Sequence, residues 1–327
     1  MISTLKGLGL VAAAVVTVSA AQIVHAEYPE RAVTIVSPYG AGGNADLAAR
    51  ALAAVAPKYL GRSVMVVNRT GAGGAAGSQH IIDSKADGYN LLLARVGSQA
   101  VGPAMNPSVP YSWDDFTIIG MLETNPYVCV VPGNSPIKDF DDFKAALKDE
   151  SSTMLYGTTS VADASVAFPV TIFQNLGLSD DVATKIPFGG GGAQVAAVMG
   201  GQVHFACNGV SPFANAMESG DLRAIVVSTK ERIPQAPDAP TAAEVDMPNL
   251  ELVSGWSALY GPPNLPQDVM DTWVDTLTQV AKDEEWLRMV KNRGSQPAIW
   301  SPDETTAFVE GQYNIFRKMA KDLGMVE

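Results

Sequence analysis

Three glycine-rich loops are the segments of this sequence best suited to hold a ligand. They run over residues 38–46, 71–77 and 189–192. Glycine lets backbone N–H groups approach a bound molecule closely, and the N-terminus of a following helix favours an anion. The first and third loops each lie between a predicted strand and a predicted helix. The loops therefore predict an anion site, for which a carboxylate is the natural small ligand. For each glycine, a purely conformational role is the open alternative.

The second loop also satisfies a dinucleotide-binding pattern. Gly71, Gly73 and Ala76 stand at the spacing G-x-G-x-x-G/A. In a dinucleotide site the first glycine follows the strand directly, but here three residues separate the strand from Gly71. In addition, no acidic residue is placed to bind a ribose. No P-loop lysine follows any of the glycine runs. We therefore expect no nucleotide and no other cofactor.

No group of residues forms a recognisable catalytic or metal-binding set. The mature chain contains only His80 and His204, and neither stands in the context of an activated nucleophile. His204 lies on a predicted strand, where a hydrogen-bonded structural role is expected. The acidic pairs at residues 114–115 and 141–142 resemble solvated turn and helix-start residues. The sequence predicts neither an enzyme nor a metal site.

Cys129 and Cys207 are the only cysteines. They could pair in an oxidising compartment. Both lie in apolar, strand-like runs, however, and a buried free cysteine behaves as a small hydrophobic residue. We expect two unpaired core cysteines, with a disulfide as the alternative.

Residues 1–26 have the features of a secretory signal peptide. Lys6 precedes an apolar run over residues 8–21, and the small-x-small pattern at residues 24–26 predicts cleavage after Ala26. A membrane anchor is the alternative, but the run is shorter than the roughly 20 residues that a span needs. Cleavage would change the formal net charge from -12 to -13, because the segment carries Lys6 and no acid. An acidic protein is a poor partner for nucleic acid or an anionic membrane.

Strand and helix signals alternate along the mature chain, which predicts parallel α/β layers. The chain would cross twice between two lobes, near residues 122–127 and 252–261. One lobe would comprise residues 27–124 and 256–327, and the other residues 125–255. In open α/β sheets the ligand binds at the carboxyl ends of strands, and a cleft between lobes is a favoured place. Strands are expected at residues 33–36, 64–67, 91–93, 128–131, 154–156, 185–188, 203–207, 223–227 and 252–260, and helices at 46–60, 165–176 and 193–199.

One helix is predicted in more detail. Asp139 is a good N-cap residue, and Phe140, Phe143 and Leu147 follow at the spacing i, i+3 and i+7. This spacing places the three apolar side chains on one face of the helix.

At these residues the chain resembles the substrate-binding proteins of tripartite tricarboxylate transporters, the TctC or Bug family. The match covers nearly all of the mature chain, and the order and spacing of its motifs make it specific. The motifs are Tyr28-Pro29-Glu30-Arg31, the loop at 38–46, Val67-Asn68-Arg69, Gly71-Ala72-Gly73-Gly74, Asp87-Gly88-Tyr89, Leu91-Leu92-Leu93, Pro187-Phe188, Gly200-Gly201-Gln202-Val203, Pro240-Thr241-Ala242-Ala243-Glu244, Trp256 and Gly261-Pro262-Pro263.

The resemblance implies an α/β fold of the two-lobe periplasmic-binding-protein type (Venus flytrap, type II). It also implies a carboxylated or otherwise polar small ligand and its delivery to membrane permease subunits. We expect a monomer in the periplasm whose ligand is a small organic di- or tricarboxylate. The ligand carboxylate would be held largely by backbone groups of the early loops. Carried over by position, the ligand-binding residues are Ser37, Tyr39, Gly42, Gly43, Asn44, Asp46, Ala72, Gly73, Gly74, Arg95, Ser98, Thr158, Thr159, Ser160, Gly190, Gly191 and Asn208.

Four residues depart from the family pattern. Arg95 stands where the family often has a small residue, and Gly189 where it usually has Lys. His204 replaces a common Asp, and Asp163 stands where Ser or His is usual. The charge of the pocket is therefore redistributed, and no substrate can be carried over from a relative. Arg95 either points into the cleft and pairs with a distal carboxylate or other acceptor of the ligand, or is a solvated arginine at a strand end.

Two other functions are compatible with the same sequence. A sensory protein that presents its bound ligand to a membrane sensor needs only a closed two-lobe surface. A periplasmic enzyme would need turnover, for which no residues are apparent.

Overall fold

The computed structural model describes residues 28–149, 151, 153–160, 163–322 and 326. The predicted signal peptide therefore lies outside the described residues. Among the helices of the described ranges, none combines the length and the apolar character needed to cross a bilayer.

Eleven strands are described in these ranges. They are β1 (Val33–Ser37), β2 (Val64–Asn68), β3 (Asn90–Arg95), β4 (Thr117–Asn125), β5 (Tyr127–Pro132), β6 (Met154–Thr158), β7 (Ala183–Pro187), β8 (Phe205–Gly209), β9 (Leu222–Val227), β10 (Gly255–Gly261) and β11 (Gln296–Pro297).

Eleven α-helices pack around the strands of the described chain. They are α1 (Asn44–Val55), α2 (Pro57–Leu60), α3 (Ala75–Ile82), α4 (Gly102–Met105), α5 (Phe140–Lys148), α6 (Ala164–Asn175), α7 (Gly191–Met199), α8 (Ala214–Glu218), α9 (Gln267–Val280), α10 (Glu284–Asn292) and α11 (Pro302–Asp322). Short 3₁₀ turns at Ala72–Gly74 and Pro248–Leu252 and a π turn at Gly97–Val101 complete the set.

The strands form two sheets, which confirms the predicted α/β fold with two lobes. The first sheet has the order β11-β4-β10-β3-β1-β2, and the second has the order β7-β6-β8-β5-β9. The chain leaves the first sheet at Asn125, enters the second at Tyr127, and returns through Gly255. The lobe boundaries predicted at residues 124 and 256 stay a prediction.

The sheets are mixed, so the expectation of parallel layers holds only in part. In the first sheet β1 runs parallel to β2 and β3, whereas β10 runs antiparallel to both β3 and β4. In the second sheet β6 runs parallel to β7 and β8, and β5 runs antiparallel to β8 and β9. The reversed strands follow the two passages between lobes, where no crossover helix restores the strand direction.

Helix α5 shows how local sequence produces a buried face. The Asp139 side chain accepts a hydrogen bond from the Asp142 backbone N–H at 2.9 Å, as expected of an N-cap. Phe140, Phe143 and Leu147 are all buried. The predicted cap and apolar face are therefore confirmed.

Cys129 and Cys207 form a disulfide, so the expectation of two unpaired cysteines was wrong. The two residues lie directly opposite each other on the antiparallel strands β5 and β8, with a Cα–Cα distance of 4.1 Å. Burial of both side chains was anticipated correctly. Pairing depends on the register between the two strands, which apolar character alone does not reveal.

Candidate functional site

A cavity of about 360 Å³, including the part open to solvent, lies between the two lobes. The predicted ligand residues that line it are Tyr39, Gly43, Asn44, Arg95, Thr159, Gly191 and Asn208. Six further lining residues were not predicted: Ala45, Val96, Gly97, Tyr127, Asp163 and Ala164. The other predicted residues, Ser37, Gly42, Asp46, Ala72, Gly73, Gly74, Ser98, Thr158, Ser160 and Gly190, do not line this cavity.

The first and third glycine loops meet across the mouth of the cavity. The backbone N–H of Gly40 donates to the carbonyl oxygen of Gly189 at 3.4 Å. Nearby, the Asn44 side-chain amide donates to Asn208 Oδ1 at 3.1 Å. A Cβ atom on Gly190 would lie 2.9 Å from the backbone N and Cα of Gly40. The lobes are thus closed, and the approach of the two backbones requires glycine at position 190.

Asp46 lies behind the first loop and holds its shape. Its buried carboxylate accepts hydrogen bonds from the Gly42 N–H, Arg50 Nε and Asn68 Nδ2, each at 2.9 Å. Burial acts to raise the pKa of Asp46, but these hydrogen bonds outweigh it and the pKa is lowered. Asp46 therefore stays ionised and fixes the loop from behind.

Arg95, at the end of β3, is buried rather than solvated, with 4% of its surface exposed. Its Nη1 donates to Asn125 Oδ1 at 2.5 Å and to Ser257 Oγ at 2.7 Å. Burial lowers the pKa of this guanidinium from its ordinary value, yet an arginine keeps its charge at neutral pH. The solvated-arginine alternative is excluded, and a fixed positive charge borders the cavity.

A polar network behind Arg95 orients it. Glu123 accepts hydrogen bonds from Ser257 Oγ at 3.3 Å and from Asn125 Nδ2 at 3.0 Å. The same carboxylate pairs with Arg293 Nη2 at 3.0 Å. Glu123 thus forms its direct ion pair with Arg293 and acts on Arg95 from behind Asn125 and Ser257.

Tyr39 connects the first and second glycine loops. Its hydroxyl donates to the carbonyl oxygen of Gly73 at 2.9 Å. Burial, and after it the nearby Asp163 charge, raise the pKa of Tyr39 well above its usual value. A Cβ on Gly97 would lie 2.5 Å from the Tyr39 hydroxyl. The phenol therefore stays protonated, and the second loop packs behind Tyr39.

Asp163 is the N-cap of α6 and only 4% exposed. Its Oδ1 accepts from the backbone N–H of Ser165 at 2.9 Å and from Ser165 Oγ at 2.5 Å. Its Oδ2 accepts from Thr159 Oγ1. The departure from the family pattern at this position was the signal that could have identified Asp163 as a cavity residue.

Asn208 is oriented by Gln194, a buried residue that sequence reasoning missed. Asn208 Nδ2 donates to Gln194 Oε1 at 2.8 Å, and Gln194 Nε2 donates to the Gly157 carbonyl at 2.7 Å. His204 lies elsewhere, and its Nδ1 accepts from the Leu155 N–H at 2.8 Å, which fits the structural role expected of it. Among the residues that the structure describes, no cluster of three metal-ligating side chains occurs.

Comparison with known proteins gives a consistent result. A family model described as "Tripartite tricarboxylate transporter family receptor" matches residues 48–325. An Agrobacterium vitis protein, "UPF0065 protein in the TAR-I ttuE-ttuC' intergenic region", is 30% identical over 271 residues, which are 83% of this chain and 77% of the relative. Protein BugT of Bordetella pertussis is 26% identical over 299 residues, 91% of this chain and 90% of BugT.

The solved structures agree in fold. The periplasmic binding protein BugD superimposes with a TM-score of 0.86 at 26% identity, over 91% of this chain and 99% of BugD. The family match extends over most of the chain and includes both lobes. The chain therefore belongs to the receptor family of the tripartite tricarboxylate transporters.

Proposed function

We propose that this chain is a periplasmic receptor that captures a small organic carboxylate between its lobes. After cleavage behind Ala26 it would act as a monomer and deliver the ligand, unchanged, to the permease subunits of a tripartite transporter. The observation that carries the proposal is the buried positive charge of Arg95 at a cavity lined by both lobes. Membership of a receptor family supports transport rather than catalysis.

Two groups of donors would bind the ligand carboxylate. Arg95 donates through Nη1 to Asn125 and Ser257 and also interacts with the Tyr127 hydroxyl, and its guanidinium borders the cavity where an acceptor of the ligand would enter. The Asn44 amide and the backbone of Gly43 and Gly191 border the same space. Hydrogen bonds to a charged group contribute on the order of 1.5–3 kcal/mol each. A few such bonds are sufficient for micromolar binding.

A thermal-shift screen of the purified mature protein tests the proposed ligand class. A one-site ligand at 100 times its dissociation constant stabilises the folded state by about 2.7 kcal/mol. We expect at least one aliphatic or aromatic carboxylate to raise the melting temperature, and neutral sugars and nucleosides to have no effect. A shift with a sugar and none with any carboxylate would contradict the proposal.

Gly190→Ala is expected to weaken ligand binding by keeping the lobes apart. The backbone of Gly190 is extended (φ 172°), so alanine is not strained there, but its Cβ would lie 2.9 Å from the backbone of Gly40. Overpacking of this kind costs about 1–3 kcal/mol, or roughly 5- to 150-fold in affinity. Titration calorimetry with a ligand from the screen measures the effect.

Gly40→Ala is the matched control for this prediction. Its Cβ would meet the Gly189 carbonyl oxygen at 3.4 Å, an ordinary contact. We expect affinity close to that of the wild type. Equal affinities of the two variants would show that binding does not require the approach of these loops.

A further inference from the structure

Two opposite charges border the cavity, one from each lobe. Arg95 comes from the first lobe and Asp163 from the second, and each is 4% exposed. Among the described residues, no ion-pair partner lies within 4.0 Å of either side chain. The nearby Glu123 is neutralised by Arg293. The cavity is thus bordered by one positive and one negative side chain, and neither forms an ion pair with another residue that the structure describes.

Asp163 retains capacity for another hydrogen-bond donor. An ionised carboxylate offers about four acceptor positions. Its three donors among the described residues are neutral: the N–H and hydroxyl of Ser165 and the hydroxyl of Thr159. Thr159 and Asp163 both line the cavity. A donor group of the ligand can therefore approach this carboxylate from the cavity.

Asp163 also faces the first lobe at close range. A Cβ atom on Gly97 would lie 3.4 Å from the Cβ of Asp163. Gly97 is two residues beyond Arg95 in the chain. In this closed arrangement of the lobes both charged side chains line the same cavity.

Charge balance then restricts the ligand. A buried charge without a partner is costly, because its hydration is lost and not replaced. A dicarboxylate would leave Asp163 unmatched and add a second negative charge beside it. A simple monocarboxylate would match Arg95 only. A molecule with one carboxylate and one ammonium group matches both charges and leaves the cavity neutral.

We propose that the ligand of this receptor is a small amino carboxylate whose carboxylate pairs with Arg95 and whose ammonium group pairs with Asp163. The inference rests on the proposed receptor function, and it narrows the ligand from carboxylates in general to zwitterions. Asp163 acts as the residue that selects against dicarboxylates.

Titration calorimetry with ligand pairs of equal carbon number tests the inference. Suitable pairs are 4-aminobutyrate with succinate, 5-aminovalerate with glutarate, and L-2-aminobutyrate with butyrate. We expect at least one amino carboxylate to bind the wild type at least tenfold more tightly than its partner. Tighter binding of the dicarboxylate or the plain acid in every pair would overturn the inference and leave the receptor function intact. Absence of binding by every carboxylate would overturn both.

Asp163→Asn provides the test of mechanism. Asparagine is a good N-cap residue and is similar in size, so α6 should remain capped. The variant should lose at least tenfold in affinity for the amino carboxylate and should bind the dicarboxylate better than the wild type does.

Asp181→Asn is the control. It removes the same charge from the exposed surface of the second lobe, and it should change the affinity for neither the amino carboxylate nor the dicarboxylate. Equal losses for both ligands would contradict the role of the charge. If Asp163→Asn does not fold, the preference of the wild type for the amino carboxylate over its partner ligand tests the inference without the variant.

Discussion

Replacing Arg95 with alanine is expected to weaken carboxylate binding by about 2–5 kcal/mol, the usual cost of truncating one member of a buried charge pair. This corresponds to roughly 30-fold or more in affinity. The reason is that Arg95 is buried, borders the cavity, and forms no ion pair with a carboxylate of the described residues. Without it, a ligand carboxylate would enter an enclosed space with only neutral donors. Titration calorimetry measures the loss.

The fold should tolerate this substitution. Glu123 keeps its ion pair with Arg293 at 3.0 Å, and Asn125 keeps hydrogen bonds to Glu123 and Ser295. Circular dichroism and thermal unfolding of the free protein verify that the variant is folded.

Two comparisons separate the charge of Arg95 from nonspecific effects. The carboxamide analogue of the ligand should bind the wild type weakly, and Arg95→Ala should reduce its binding much less than that of the carboxylate. Arg62→Ala removes an exposed arginine from the same lobe and should leave affinity unchanged. An Arg95→Ala variant that binds the carboxylate as tightly as the wild type would show that the carboxylate lies elsewhere.

Reduction of the Cys129–Cys207 disulfide is expected to lower the free energy of unfolding by about 2–4 kcal/mol. The bond connects residues 78 positions apart, so it restricts a long loop of the unfolded chain. It also joins β5 and β8, the central pair of strands in the second lobe. Urea denaturation with and without a reducing agent measures the difference.

The double variant Cys129→Ala, Cys207→Ala is the control for this prediction. Its stability should be low and the same with and without reductant, because no disulfide remains to be reduced. A wild type whose denaturation midpoint does not change on complete reduction, verified by thiol counting, would contradict a stabilising disulfide.

Local patterns in the sequence predicted much of the fold. The apolar run of β3 and the cap and spacing of α5 are properties of neighbouring residues. Strand β4, at Thr117–Asn125, was missed, and the antiparallel direction of β10 was not foreseen. Strand direction and register depend on where the chain returns from the other lobe. The pairing of Cys129 with Cys207 could not be predicted either, because it depends on the register between β5 and β8.

The candidate site was predicted in outline by its glycine loops. The sequence identified the loop around Gly43 and the position of Arg95, and both line the cavity. It could not show that Asp46 lies behind its loop with its carboxylate occupied by other residues. Nothing in the sequence marked Tyr127 as a cavity residue, and for Asp163 the signal was its departure from the family pattern.

Hydrogen–deuterium exchange of the mature protein, with and without a bound carboxylate, tests most directly whether the ligand is captured between closing lobes. Binding there should slow amide exchange together in residues 38–46 of the first lobe and in residues 157–165 and 189–194 of the second. The first segment contributes Gly43, Asn44 and Ala45 to the cavity, and the second lobe contributes Thr159, Asp163, Ala164 and Gly191. The Gly40 N–H meets the Gly189 carbonyl oxygen between the lobes. Saturating carboxylate that protects neither loop, or protects segments of one lobe alone, would contradict the account.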